Sequence, residues 1–397
     1  MRRLALLDGF RGFFLIFMLL NHLPFAGGLW LAEINHRNLG YVEDAQGFVF
    51  LSGIIIGLYY TRLLERNRAA DMDAKLAARV RELYGYHLGL LAVVLVAATL
   101  IPGADTAWAP FMEEIFINPA PNAAAAFILL YQPTYLDILP QYLLYLLASP
   151  ILLRMVAAGR SRAVLSGSVG LWLAVQLGWH LPLATGMQSL GDAVFPGFVL
   201  RGHFNPLAWQ ILFVTGLLIG AEQERGRLDW ARWFGPDRSD IARLCAIALV
   251  IFFAYKLANA NDLIGPPQLD RFDAMASRTE FGPVYLANFA ALAWLTAWLV
   301  VSGERLGSPV VRRLGRSLNG LFRMRFLVFL GQHSLQVYAW HVLLAFGLMA
   351  LDGLVGPFGW LTKTLLAAVA VASLAVPAWL HALWRNRIAI GAIRTAP

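Results

Sequence analysis

Ten long apolar runs, each bounded by polar or Gly/Pro-rich stretches, divide the chain: about 9–30, 46–64, 85–101, 136–157, 163–179, 207–222, 241–258, 284–302, 326–350 and 360–384. An α-helix rises 1.5 Å per residue and needs roughly 20 apolar residues to cross a bilayer, so each run has the length of a span. The pattern predicts an all-α fold: a polytopic integral membrane protein of about ten transmembrane helices, one domain over residues 1–397, with short loops. A further segment, "NAAAAFILLYQ" at 122–132, is too short to span; it is expected at the interface or re-entering the protein, and a lid role stays open.

Composition agrees with that reading, since 59% of residues are hydrophobic and only 14% charged, against about 25% charged in a soluble domain. Charge also sets the orientation, because Lys and Arg collect on the cytoplasmic side of short loops. With the N-terminus inside, 26 of the 32 basic residues fall in inward segments; Arg37, Arg201, Lys256, Arg271, Arg278 and Lys363 are the outward ones. The expected topology is N-in, C-in. The formal charge of +8 is then explained by loops facing anionic lipid, which removes nucleic acid as a partner. Arg2, Arg3 and the small residues at 26–28 suggest a signal peptide, but such segments are short and uncharged, and this run holds Asp8, Arg11 and His22. It is read as a retained span.

Those three residues are the first candidate chemistry, because ionisable groups in lipid are costly and usually face a bundle interior or a cavity. At 100° per residue Asp8, Arg11 and His22 fall within roughly a 60° arc, and the eleven residues from Arg11 to His22 carry the histidine about 16 Å outward. Other spans bring polar side chains to the same outer layer: Asp44, Gln46 and Ser52 from the second, Asp137 and Gln141 from the fourth, Asn205, Trp209 and Gln210 from the sixth. The ninth contributes His333 near mid-membrane, Gln336, and His341 about 12 Å higher. Each also has a structural reading: span-end residues among lipid headgroups, an interhelical histidine, a helix cap at Asp8.

No HExxH or CxxC occurs, the lone cysteine is Cys245, and no His spacing suggests a metal, so no metal site is expected. There is no G-x-S-x-G elbow and no internal repeat of the kind common in transporters. Histidine with carboxylates and amides in a polar tunnel suits general-base acyl transfer or proton-coupled transport of a polar solute or lipid-linked sugar.

"LDGFRGFFLIFMLLNH" resembles the first-span signature of membrane acyltransferases that modify extracytoplasmic sugars: an Asp-Gly-x-Arg-Gly box, then a histidine eleven residues after the Arg. Arg11 and His22 meet that spacing. "GFVFLSGIIIGL" is similar to the second-span block, met by Phe48, Ser52 and Gly53, and "FLGQHSLQVYAWHVLLAF" to a late block met by Gly331, Ser334, Tyr338 and His341. With "QPTYLDILPQYLLY" and "NPLAWQILFVTGLLIG", these look most like the OpgC branch, which succinylates osmoregulated periplasmic glucans. The resemblance implies a single transmembrane acyltransferase domain in the bacterial inner membrane. Succinyl-CoA would be the cytoplasmic co-substrate, with no permanently bound cofactor, and a glucan the periplasmic acceptor; acetyl or another acyl group stays open, as do monomer and homodimer. It further implies His22 as general base or transient acyl carrier, Asp137 and Gln141 orienting His22 or the sugar, and Arg11 attracting CoA phosphates or stabilising the helix entrance. His333, His341 and Ser52 would line the tunnel, and Arg201 and Arg37 are the outward cations for a succinyl carboxylate.

Overall fold

A computed structural model describes residues 5–265, 272–273 and 275–394; Arg2, Arg3 and Arg271 lie outside them. The longer helices, in chain order, are α1 (Ala5–Asn21), α2 (Asp44–Glu65), α3 (Ala69–Leu100), α4 (Ala104–Ile117), α5 (Pro119–Phe127), α6 (Ile138–Ala157), α7 (Ser161–Gln176) and α8 (Leu181–Val194). They continue as α9 (Pro206–Glu224), α10 (Ser239–Ala260), α11 (Pro283–Ser302), α12 (Pro309–Leu321), α13 (Arg325–Gln332), α14 (Ser334–Val355), α15 (Trp360–Ser373) and α16 (Ala375–Arg394). Among the described residues there is no strand, only one bridge between Tyr131 and Arg201. Among the described residues seven helical stretches are long and apolar enough to cross a membrane, eight if α7 and α8, bent by 70°, form one broken span. Helix lies under all ten predicted runs, but α1 has only 17 residues and α9 carries Gln210 and Glu222 within its 19.

Local sequence explains the helix ends. Glu43 and Gln46 form a reciprocal capping box at the start of α2. Asn205 caps α9 through Leu207 N, with Pro206 in the first turn. At the end of α6, Gly159 takes a left-handed backbone, φ 80°, and Arg160 N donates to Met155 O at 2.9 Å, closing the helix in a Schellman motif.

The chain forms two compact units: Met1–Asn35 with Val93–Trp108 and Arg313–Pro397, and His36–Ala92 with Ala109–Arg312. In the first, α1 and α13 meet backbone to backbone. A Cβ added at Gly12 would stand 2.0 Å from Leu327 O, and one at Gly331 1.8 Å from Asp8 O, so glycine alone permits the approach. Arg11 with Ser334 and His22 with His341 set α14 along α1 in the same sense. The run read as one span over 326–350 is built as two helices, α13 and α14. The break falls at His333, which ends α13 and occupies the N-cap position of α14.

In the second unit α2 and α9 interlock. Gly53 and Gly57 face Phe213 O and Leu217 O, and Gly216 and Gly220 face Phe50 O and Ile54 O, with added Cβ atoms 2.1–2.2 Å from those oxygens. Residue numbers rise together along both helices, which makes the pair parallel. This is a small-xxx-small contact on both partners. By contrast α10 buries only Ala242 and exposes Leu244, Ile247, Val250 and Ile251, the pattern of a helix solvated by lipid.

Candidate active site

In the first unit, the half-buried His22 follows directly on α1, its N–H still donating to Met18 O and Leu19 O. Its Nδ1 lies 3.2 Å from Nε2 of His341, a fully buried side chain on α14. Nδ1 of His341 lies 2.5 Å from Tyr338 O. A carbonyl only accepts, so His341 carries its proton on Nδ1 and offers the Nε2 lone pair; His22 then donates from Nδ1 and keeps its own lone pair on Nε2. The chain Tyr338 carbonyl, His341, His22 thus fixes one tautomer of His22, with Nε2 as its acceptor nitrogen. That is the arrangement a general base needs.

The peptide after His22 is clamped. Ala26 N donates to Asp352 Oδ2 at 2.7 Å, while the Lys363 ammonium donates to Ala26 O and, at 3.2 Å, to Gly28 O. Asp352 and Lys363 are both buried, and sequence reasoning did not single out either, because their partner is backbone. At the other end of α1, Arg11 donates to Ser334 in the first turn of α14, where Gln336 is half-buried. Asp8 occupies the first turn of α1, where a carboxylate suits the helix dipole. His333 Nδ1 lies 2.8 Å from His381 Nδ1 on α16.

The second unit holds the other candidates. Three loops and the start of α2 are stitched together: Gln132 N donates to Arg201 O (2.9 Å), and Asn205 N to Thr279 O (2.9 Å). Thr134 Oγ1 meets His203 Nε2 (2.6 Å), and Trp209 Nε1 donates to the carbonyls of Arg278 and Thr279 (3.1 and 3.2 Å). Asn205 also donates to Glu280 Oε2 (2.6 Å). Gln210 exchanges two bonds with Ser168, 2.7 and 2.8 Å. Asn205, Trp209 and Gln210 are thereby committed to protein partners; they hold the loop at 277–282 and the α7–α9 contact. Asp44 pairs with His36 at 3.5 Å.

Asp137 (5% exposed) and Gln141 (1%) open α6, directly after Tyr135, whose φ of 72° is left-handed, a strained state that clusters at functional sites. Arg278 reaches Glu43 Oε2 from Nε at 2.7 Å, and Asp137 lies in the field of both. Arg201, expected on the outward side, is engaged with Glu114, which also accepts from Tyr131 (2.7 Å). Burial would raise the Glu114 carboxyl, but the bonds from Tyr131 and Arg201 hold it below its usual range. The segment at 122–132 is neither a span nor loose: α5 ends at Phe127, and the buried Asn122 brackets Gly197 O and Val199 N at 3.0 and 2.9 Å. Among the described residues no group of three or more potential ligands could hold a metal ion.

Sequence comparison adds one finding. Neither the curated proteins nor the solved structures include a match to the chain. The family described as OpgC protein matches residues 2–386, nearly the whole length, and the chain belongs to the OpgC family.

Proposed function

We propose that this protein is an acyl-CoA-dependent O-acyltransferase, a single transmembrane domain over 1–397 in the bacterial inner membrane. It moves a succinyl group from cytoplasmic succinyl-CoA to glucose hydroxyls of periplasmic glucans. Family membership points to an OpgC-type acyltransferase of glucan modification. The observation that carries the chemistry is the Tyr338–His341–His22 relay, which supports a basic Nε2 on His22.

In this reading a glucose hydroxyl loses its proton to His22 Nε2 as its oxygen attacks the thioester carbonyl. The C–S bond then breaks, the ester C–O bond remains, and the proton on His22 passes to the leaving sulfur to give free CoA. The bond from His22 Nδ1 to His341 Nε2 steadies the imidazolium between those steps. Arg11 beside the first turn of α14 suits a CoA phosphate, since a guanidinium and a helix N-terminus both favour anions. Ten spans, N-in and C-in, with a polar tunnel, put donor and acceptor on opposite faces of the membrane. Asp137 and Gln141 contact the acceptor.

Mass spectrometry of periplasmic glucans with and without the protein tests the reaction: each ester should add about 100 Da if succinyl and about 42 Da if acetyl. CoA or succinyl-CoA should raise the melting temperature of the purified protein. A proton-coupled transporter would show neither effect.

A further inference from the structure

Buried polar groups nearly always find hydrogen-bond partners, and one left without costs free energy. In the second unit several break that rule around the same loops. Gln141 is 1% exposed and neither its Nε2 nor its Oε1 has a hydrogen-bond partner among the described residues; Gln46 is 0% exposed and its Nε2 has none. The Tyr145 hydroxyl beside Gln141 donates to Pro206 O at 3.0 Å and has room to accept from only one N–H of the Gln141 amide, which leaves Oε1 and the second N–H for other partners. Gln46 spends its oxygen on Glu43 N at 3.3 Å, which directs only the amide nitrogen elsewhere.

Arg278 stands in the same neighbourhood with capacity to spare. Nε is taken by Glu43 and the guanidinium lies over the Phe204 ring at 5.0 Å, so its plane is fixed. Nη1 and Nη2 make no hydrogen bond among the described residues. The side chain keeps 44% of its surface although Glu43 and Phe204 contact it and Asp137 and Tyr285 lie in its field. Trp209, through the carbonyls of residues 278 and 279, holds the backbone that presents it.

We infer that the Glu43–Arg278 pair, with Asp137, Gln141 and Gln46, is a subsite for a neutral polyol, the hydroxyls of a glucosyl acceptor, and that Arg278 sets its specificity. A neutral ligand suits the site because Glu43 already engages the Arg278 guanidinium at 2.7 Å, which leaves no unpaired charge on it for a ligand carboxylate. Hydroxyls, which donate and accept, satisfy carboxylates, amides and the Nη edge together. The inference deepens the acyltransferase reading and rests on its choice of acceptor.

The test measures binding of neutral, unsubstituted glucan and of its succinylated form to the purified full-length protein by titration calorimetry without acyl donor, and separately the acceptor and donor KM in steady state. Arg278→Gln should weaken neutral-glucan binding and raise acceptor KM about tenfold or more, as loss of a charged hydrogen-bond donor does. The donor KM, the melting temperature and the stabilisation by CoA should not change. Arg278→Lys should not rescue, because an ammonium lacks the planar fork. Glu43→Gln, which keeps the cap of α2, should narrow the preference for neutral over succinylated glucan and decides the matter if Arg278→Gln fails to fold. Wild-type binding that is absent or favours the succinylated form, or neutral binding unchanged in folded Arg278→Gln, overturns the subsite. Glucan binding that depends on Arg278 without any acyl transfer would instead retain the subsite and sink the acyltransferase reading.

Discussion

Replacing Gly53 with alanine separates packing from chemistry in the block "FLSG". The added Cβ would stand 2.1 Å from Phe213 O and 2.9 Å from Leu217 N, where a carbon–oxygen contact normally needs roughly 3.3 Å. The obstructing atoms are backbone of α9, so no side chain can swing aside; the helices must part by about 1 Å along a seam that Gly57, Gly216 and Gly220 also require to be close. Overpacking of this kind costs about 1–3 kcal/mol, equivalent to a fall of roughly 2–10 °C in melting temperature for a unit of this size. Gly89→Ala is the control. It lies in the interior of α3 with nothing within 4 Å of an added Cβ, where alanine is the better helix former. Thermal unfolding in detergent, followed by transfer kinetics on the folded fraction, should show Gly53→Ala melting lower with an unchanged donor KM. Equal melting of the two variants would refute the packing argument, and an intact melting temperature with lost turnover would move Gly53 into the chemistry.

Two further outcomes follow from the geometry. His341→Ala releases the His22 tautomer and should lower kcat by roughly 10–100-fold, the usual range for a supporting hydrogen-bond partner, with little change in either KM; unchanged kcat would remove the relay. Burial lowers His36 from 6.5 to about 4, and burial with the Arg201 and Arg278 charges does the same to His203. Below pH 6.5 the unfolded chain takes up these protons before the folded one does, so stability should be full above that pH and decline until about pH 4. Melting curves across this window should be shallower for His203→Gln, and an identical slope would contradict the assignment.

Much of the fold is legible in the sequence because lipid demands long apolar helices whose length can be counted. The break at His333 is not, since the contacts that flank it, Gly331 with Asp8 and Ser334 with Arg11, join residues more than 300 apart in sequence. The glycines of "GIIIG" and "GLLIG" are visible as a spacing, but only the facing backbone reveals them as a packing seam. Histidines eleven residues beyond Arg11 and at 341 can be picked out singly; the bond between them, and so the tautomer, requires the parallel course of α1 and α14. Glu43 and Arg278 escape notice for the same reason. The pair joins a helix cap to a distant loop, and in the sequence Arg278 registers merely as one outward basic residue.

The most direct test is transfer of the acyl group from succinyl-CoA to unsubstituted glucan by purified wild-type protein and His22→Ala, with melting temperatures matched. A general base contributes about 10²–10⁴-fold, so His22→Ala should lose at least a hundredfold in kcat while still being stabilised by CoA. Full transfer by folded His22→Ala would contradict the account at its centre.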